Sequence, residues 1–207
     1  RVDRSSFAAP MVIVGRSDAT AIADATSIQA VRRRGAGRLP LRGSLPVAPV
    51  LLTSGTTGTP KGAQRRVRAD PGAVGVIETI PYRHDDVIAI TSPLFHAWGL
   101  AQMGLAAALG CTIVLSATFD AGGTLAVLER ERATVLAVVP AILQRLLEAP
   151  DLDRTDLSAL RIVVSSGSAL PVPIVLEWLD RVGPNLYNLY GSTEVGQATL
   201  ATPTDLQ

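Results

Sequence analysis

Thr134-Val135-Leu136-Ala137-Val138-Val139-Pro140-Ala141-Ile142-Leu143 contains the transition that decides the fold. The first six residues form a continuous apolar, mostly β-branched run with no polar alternation. A strand of that kind is buried on both faces. Pro140 then suits the first turn of a helix, where its missing N–H costs nothing, and a helical pattern continues to Ala149. Working outward, the same couplet recurs. Strands are expected at Val50–Thr53, Val87–Thr91, Thr112–Ser116, Arg161–Ser165 and Leu186–Leu189. Helices are expected at Gly72–Ile80, Ala97–Leu109, Gly122–Arg132 (capped by Asp120) and Pro173–Val182. Alternating buried strands and helices predict an α/β fold, a mostly parallel sheet with helices on both faces. In such sheets ligands sit beyond the carboxyl ends of the strands. The chemistry should therefore lie in the loops after Thr53, Thr91, Val139, Ser165 and Leu189.

Composition bounds the possibilities. The chain has 207 residues, 47% hydrophobic and 18% charged, with a net charge of +1. That is a globular composition with no general pull toward nucleic acid or anionic membrane. Arg32-Arg33-Arg34 reads as a solvated helix end. Lys61, Arg65, Arg66 and Arg68 follow a glycine-rich loop, where positive charge could hold a phosphate. The single cysteine, Cys111, excludes an internal disulfide and fits a reducing, cytoplasmic setting. Ala97 to Ala117 carries no charge, but Gly104 and Gly110 interrupt it and its character changes midway. A buried helix followed by a buried strand is expected there, not a membrane span. Near the start, Met11–Val14 reads as a short strand, and an alanine-rich stretch between Asp24 and Arg34 as helical. Residues 1–48 are expected to be an incomplete N-terminal segment and connector, and 49–207 an α/β subdomain.

The loop after the first of these strands is the most chemically loaded stretch. Leu51-Leu52-Thr53-Ser54-Gly55-Thr56-Thr57-Gly58-Thr59-Pro60-Lys61-Gly62 holds five hydroxyl residues, three glycines and the only lysine. Glycines let backbone N–H groups approach an anion, hydroxyls add donors, and Lys61 adds charge. The Walker template G-x-x-x-x-G-K-[ST] does not match, because Pro60 and Gly62 replace Gly and Ser/Thr. Further along stand Pro93-Leu94-Phe95-His96 with Gly99, then Ser165-Ser166-Gly167-Ser168-Ala169-Leu170, then Asn188-Leu189-Tyr190-Gly191-Ser192-Thr193-Glu194.

The first, second and last of these segments, in this order, resemble the signatures of the adenylate-forming superfamily of acyl-CoA synthetases, luciferases and peptide-synthetase adenylation domains. The likeness covers roughly Pro49 to Gln207. It implies a partial N-terminal domain of an acyl-CoA synthetase using ATP, Mg²⁺ and CoA as co-substrate. By resemblance, Thr53, Ser54, Gly55, Thr56, Thr57, Gly58 and Lys61 grip the β- and γ-phosphates. His96 lies near the substrate carboxylate. Gly167, Ser168 and Ala169 wall the adenine, and Tyr190, with Gly191 and Ser192, stacks on it. Thr193 bonds the α-phosphate and Glu194 binds Mg²⁺. Trp98, Leu100 and Met103 line or back the acyl site, or simply pack the core.

Because Phe95–Leu109 is apolar without a charged anchor, a fatty acid is the expected partner, with peripheral membrane association open to the full-length protein. Two rivals stand beside this reading. One is an acyl-AMP ligase or adenylation domain serving a carrier protein; the other is a non-catalytic nucleotide-binding scaffold. The family's ribose-binding aspartate, hinge and C-terminal lid domain with its lysine have no counterpart in this sequence. The chain is therefore expected to be a fragment, inactive alone.

Overall fold

The computed structural model describes residues 12–13, 26–27, 50–53, 61–64, 71–116, 118–192 and 196–207. The chain divides into two units, Arg1–Val47 and Ala48–Gln207. In the first, β1 (Val12–Ile13) pairs in parallel with β2 (Thr26–Ser27). Thr26 and Ser27 lie within the stretch expected to be helical and form a strand against β1 instead; the rest of that stretch lies outside the described residues.

The second unit begins with a hairpin. Strand β3 (Val50–Thr53) runs antiparallel to β4 (Lys61–Gln64), with Thr53 opposite Lys61. This corrects the expectation that β3 belongs to the parallel sheet and that a helix follows its loop. Seven residues, 54–60, separate the two strands. A parallel return needs a crossover of about a dozen residues or more, so an antiparallel hairpin is the available pairing.

The elements that follow are α1 (Pro71–Thr79), β5 (Val87–Ile90), α2 (Ala97–Leu109), β6 (Thr112–Leu115), α3 (Ala121–Arg130), β7 (Val135–Val138), α4 (Pro140–Leu147), a 3₁₀ turn (Leu152–Arg154), β8 (Ile162–Ser165), α5 (Val172–Arg181), β9 (Leu186–Ser192) and β10 (Gly196–Ala201). Six strands form one sheet in the order β10-β9-β8-β7-β5-β6. All pairs are parallel except β9 with β10. Asp120 caps α3 as expected, accepting a hydrogen bond from the Gly123 amide at 2.7 Å. No helix among the described residues is long and apolar enough to cross a membrane. The uncharged stretch from Ala97 resolves into α2, a left-handed turn at Gly110 and β6.

The strands read as unbroken apolar runs because their two faces feed two cores. Ala89, Leu136, Val138, Val163 and Leu186 pack with Leu125 and Leu128 of α3, Leu143 and Leu146 of α4, and Trp178 of α5. Their neighbours Ile88, Ile90, Val135, Ala137, Ile162, Val164 and Leu189 pack with Val76 of α1 and Ala106 of α2. Each fully buried Val, Leu or Ile contributes ~1.5–3 kcal/mol relative to exposure. Trp178 is also fixed through its ring nitrogen, which donates to Asn185 Oδ1 at 3.0 Å. Asn185 Nδ2 in turn donates to the Leu160 carbonyl at 2.8 Å.

At the amino edge of the sheet a buried charge ties three strands together. Asp86, 2% exposed, precedes β5. Its carboxylate accepts from Thr134 Oγ1 at 2.7 Å, from the Arg161 guanidinium at 2.6 Å and from the Arg83 amide at 2.7 Å. Thr134 leads into β7 and Arg161 into β8. Burial pushes the Asp86 carboxyl up, but the hydrogen bonds and the Arg161 charge outweigh it and hold the group below the usual carboxylate range. Nearby, the Tyr82 hydroxyl donates to Gln102 Oε1 at 3.3 Å, and burial raises its pKa.

Because Asp86 titrates lower when folded than when unfolded, its contribution is present above the unfolded value near ~4 and is lost as pH falls through the folded value. Asp86→Asn should cost about 2–3 kcal/mol at pH 7, since it strips the partner from a largely buried guanidinium. In urea titrations at falling pH, the gap between wild type and variant should close below about pH 4. A gap independent of pH would show that the charge is not what holds the strands.

Candidate functional site

The strand order places the carboxyl ends of four strands in a row. Ile90 of β5 lies beside Ala137 of β7, Val138 beside Ser165 of β8, and Ser165 beside Asn188 of β9. Between β5 and β7 the order reverses direction, β6 lying to one side and β8 and β9 to the other. At such a reversal the connections diverge to opposite faces and leave a crevice. Three segments singled out from sequence, 91–96, 166–170 and 190–192, therefore meet along one edge. At ~4.8 Å per strand, the β5 and β9 ends of the row lie ~14 Å apart.

Beyond β5 the chain is held by backbone. Thr91 donates to the Ala137 carbonyl through both its amide, at 3.1 Å, and its hydroxyl, at 2.9 Å. The His96 amide donates to the Pro93 carbonyl at 3.1 Å, and His96 becomes the extended N-cap residue of α2 without a side-chain cap bond. Its exposed imidazole lies 4.5 Å, centroid to centroid, from the Phe95 ring, which is 75% exposed. Trp98 Nε1 donates to the Val138 carbonyl at 3.0 Å, locking the start of α2 to the end of β7. Trp98, Met103 and Leu94 pack against the second core. Gly99 has a packing reason. A Cβ there would stand 2.6 Å from the Pro93 carbonyl oxygen and 2.7 Å from that of Ser92.

Ser165 at the end of β8 and Ser166 after it are buried, whereas Gly167, Ser168 and Ala169 form an exposed turn. Gly167 has φ +93°, a left-handed conformation that favours glycine. Tyr190, Gly191 and Ser192 were expected in a loop, but β9 continues through them and β10 returns antiparallel. Gly191 lies so close to the Gly196 carbonyl that no side chain fits. The Tyr190 ring is 69% exposed.

Four polar side-chain atoms are buried without a partner among the described residues: Ser92 Oγ, Ser165 Oγ, Asn188 Oδ1 and Gln197 Oε1. All four lie near the carboxyl ends of the parallel strands or on the strand that returns from them. Each unsatisfied group costs about 1–3 kcal/mol. Gln197 was not visible to sequence reasoning, because its place depends on β10, whose Gly-Gln-Ala-Thr composition gives little strand signal. No acidic residue stands in the first turn of α1, α2, α4 or α5. The positive ends of α2, α4 and α5, which follow parallel strands, face this edge without a first-turn acid to offset them.

Thr53 and Lys61 are brought opposite each other across the β3–β4 hairpin. Ser54, Gly55, Thr56, Thr57 and Gly58 lie outside the described residues, as do Thr193 and the expected Mg²⁺ ligand Glu194. Among the described residues no three His, Cys, Asp or Glu side chains gather as a metal site.

Comparison with known proteins adds to this geometry. Residues 17–207 match the family model described as AMP-binding enzyme. The chain is 39% identical over 167 residues to indoleacetate–CoA ligase of Aromatoleum aromaticum, covering 78% of this chain and 32% of that protein. It thus spans about a third of that relative's length. Among solved structures, the amide bond synthetase McbA from Marinactinospora thermotolerans superposes with a TM-score of 0.67 at 32% identity, over 76% of this chain and 31% of McbA. The N-terminal domain of FACL13 from Mycobacterium tuberculosis gives 0.74 at 19% identity, over 94% of this chain and 54% of that one, a likeness of fold.

Gly99→Ala should destabilise the protein by about 1–3 kcal/mol, because backbone oxygens must move to admit the methyl group. Gly104→Ala in the same helix meets nothing within 4 Å and should instead stabilise by about 0.5–1 kcal/mol. Thermal melts of the two variants measure both signs.

Proposed function

The chain belongs to the AMP-binding enzyme family, and from that premise we propose that it carries the nucleotide-binding part of an ATP-dependent acid–thiol ligase. The observation that carries this reading is the row of segments 91–96, 166–170 and 190–192 along one sheet edge. A carboxylate is a poor electrophile at carbon. In the proposed reaction its oxygen attacks the α-phosphorus of ATP. A new O–P bond forms, the bond to the β-phosphate bridging oxygen breaks, and pyrophosphate leaves with that electron pair. The acyl-adenylate then loses AMP to the CoA thiol, which gives up its proton and becomes the thioester.

The protein's share is to position two anions and offset their charge. Lys61 and the hydroxyls of Thr53, Ser54, Thr56 and Thr57, with the amides of Gly55 and Gly58, serve the β- and γ-phosphates. Tyr190 serves as the adenine platform, supported by Gly191 and Ser192, and the 167–169 turn as its wall. Thr193 serves the α-phosphate and His96 the carboxylate end of the acid. Glu194 would hold Mg²⁺, a hard cation that takes oxygen ligands and neutralises phosphate charge when bound.

For the acid, the apolar segment from Phe95 to Leu109 led to a fatty acid. The relative named for indoleacetate favours an aromatic acid instead. Similarity to an amide bond synthetase keeps an amine acceptor beside CoA as a second reading. Acid-dependent ATP–pyrophosphate exchange tests adenylation, and mass spectrometry of the acyl product with CoA or amine present identifies the acceptor. ATP binding without exchange for any added acid would leave only a nucleotide-binding scaffold.

Lys61→Ala should weaken ATP binding ~10–100-fold, the size of one charge-assisted hydrogen bond, while AMP binding stays nearly unchanged. Equal losses for the two nucleotides in calorimetry would move Lys61 away from the β/γ end. Glu194→Gln should raise the Mg²⁺ concentration needed for ATP binding without lowering the melting temperature. Early melting with the same Mg²⁺ dependence would make the residue structural.

A further inference from the structure

The last two carbonyls of β7 serve opposite neighbours. That of Ala137 accepts from Thr91, on the β5 side, through amide and hydroxyl. That of Val138 accepts from the Ser166 amide, on the β8 side, at 3.3 Å. Trp98 stands two residues after His96, in the chain that leaves β5, yet its Nε1 donates to this second carbonyl at 3.0 Å. A carbonyl oxygen has two lone pairs and can take both donors. The residue after it is touched from the β8 side as well, because a Cβ on Gly167 would lie 3.4 Å from Val139 Cγ1. Val138 and Val139 are thus held between the segment that carries His96 and the turn proposed as the adenine wall. Strand pairing accounts for the two amide bonds, and packing against the second core accounts for the Trp98 ring. Neither calls for the indole N–H bond.

We infer that Trp98 is a positioning residue that couples the two halves of the site. Through the Val138 carbonyl, the placement of His96 and the placement of the 166–169 turn depend on one another. The inference rests on the ligase reading above and adds a linkage to it. Attack of a carboxylate oxygen on phosphorus needs the reacting atoms held about 3–3.5 Å apart. His96 has no side-chain cap bond to fix it, so its setting follows the first turn of α2, which Trp98 ties down. A ligand that orders one half then prepares the other half, and each ligand tightens its companion by the same factor.

The test removes the N–H and keeps the ring. Replacement of Trp98 by 3-benzothienylalanine preserves the shape, and Trp98→Phe gives a second, smaller ring without the donor. Adenosine is the nucleotide probe, because it carries no phosphate to repel a carboxylate directly. Indole-3-acetate is the acid probe, or decanoate if that binds more tightly. Calorimetric titration of the chain with the acid, with and without saturating adenosine, gives the coupling factor. In wild type it should be about 5–10, and the same with the order of addition reversed. Without the N–H it should fall to about 1, while each ligand alone binds within about threefold of wild type. A tryptophan that only packs the core would change the melting temperature or both affinities and leave the factor as it was. A factor of about 1 in wild type, or one that survives loss of the N–H, overturns the inference. ATP binding, measured alongside, separates the two levels. If ATP binds but the acid does not, or binds uncoupled, the inference falls and the ligase reading stands. If ATP also fails to bind, both fall.

Discussion

Val135 to Val138 in β7 have no face open to water. Two of their side chains enter the core under α3, α4 and α5, and two enter the core under α1 and α2. On either side the strand is hydrogen-bonded to β5 and β8. A strand enclosed in this way offers only its two ends for polar chemistry, and the ends of its neighbours lie beside them. The molecule treats those two ends in opposite ways.

At the amino edge, polar groups are matched. Asp86 is met by Thr134, Arg161 and Arg83, and Tyr82 meets Gln102. These bonds join segments that are 75 residues apart in the case of Arg161 and Asp86. At the carboxyl edge and on the strand returning from it, Ser92, Ser165, Asn188 and Gln197 keep buried atoms without partners among the described residues. The helix N-termini there are not neutralised by acidic first turns. Stability is concentrated at one edge, and unsatisfied binding capacity at the other. On the proposed reading, in which this edge binds two anions, the division helps, because groups already paired with one another cannot meet a ligand.

Both family signatures rich in glycine and hydroxyls are closures of antiparallel hairpins. Residues 54–60 connect β3 to β4, with Thr53 opposite Lys61; residues 193–195 connect β9 to β10, with Ser192 opposite Gly196. Registered strands hold the ends of each connection about 5 Å apart. The crowding of Gly191 against Gly196 shows how close that approach is in the second hairpin. Trp98 and Gly99 hold the start of α2 against the end of β7 and the 92–93 backbone, so among the described residues His96 is positioned by packing and backbone bonds and not by a bond of its own imidazole.

Unbroken Val, Ile and Leu runs, together with Asp120 and Pro140 as helix starts, were enough to place β5 to β8 and α1 to α5 within a residue or two, and the start of β9. The reason is local: burial on both faces leaves a compositional mark that a single segment carries by itself. The motif residues were legible for a related reason, since glycine, hydroxyl and charge requirements cluster within a few residues. Pairing was not legible. The hairpin partner of β3, the strand at Thr26–Ser27, the continuation of β9 through Ser192 and the whole of β10 depend on which backbone lies alongside. Weak formers such as Gly196, Gln197 and Ala198 become a strand only when a neighbour supplies the hydrogen bonds. Asp86 meeting Arg161, and Gln197 Oε1 without a partner among the described residues, are facts of the same kind. A side chain's partner, or its lack of one, is set by chain that is distant in sequence, and only the assembled sheet brings that chain near.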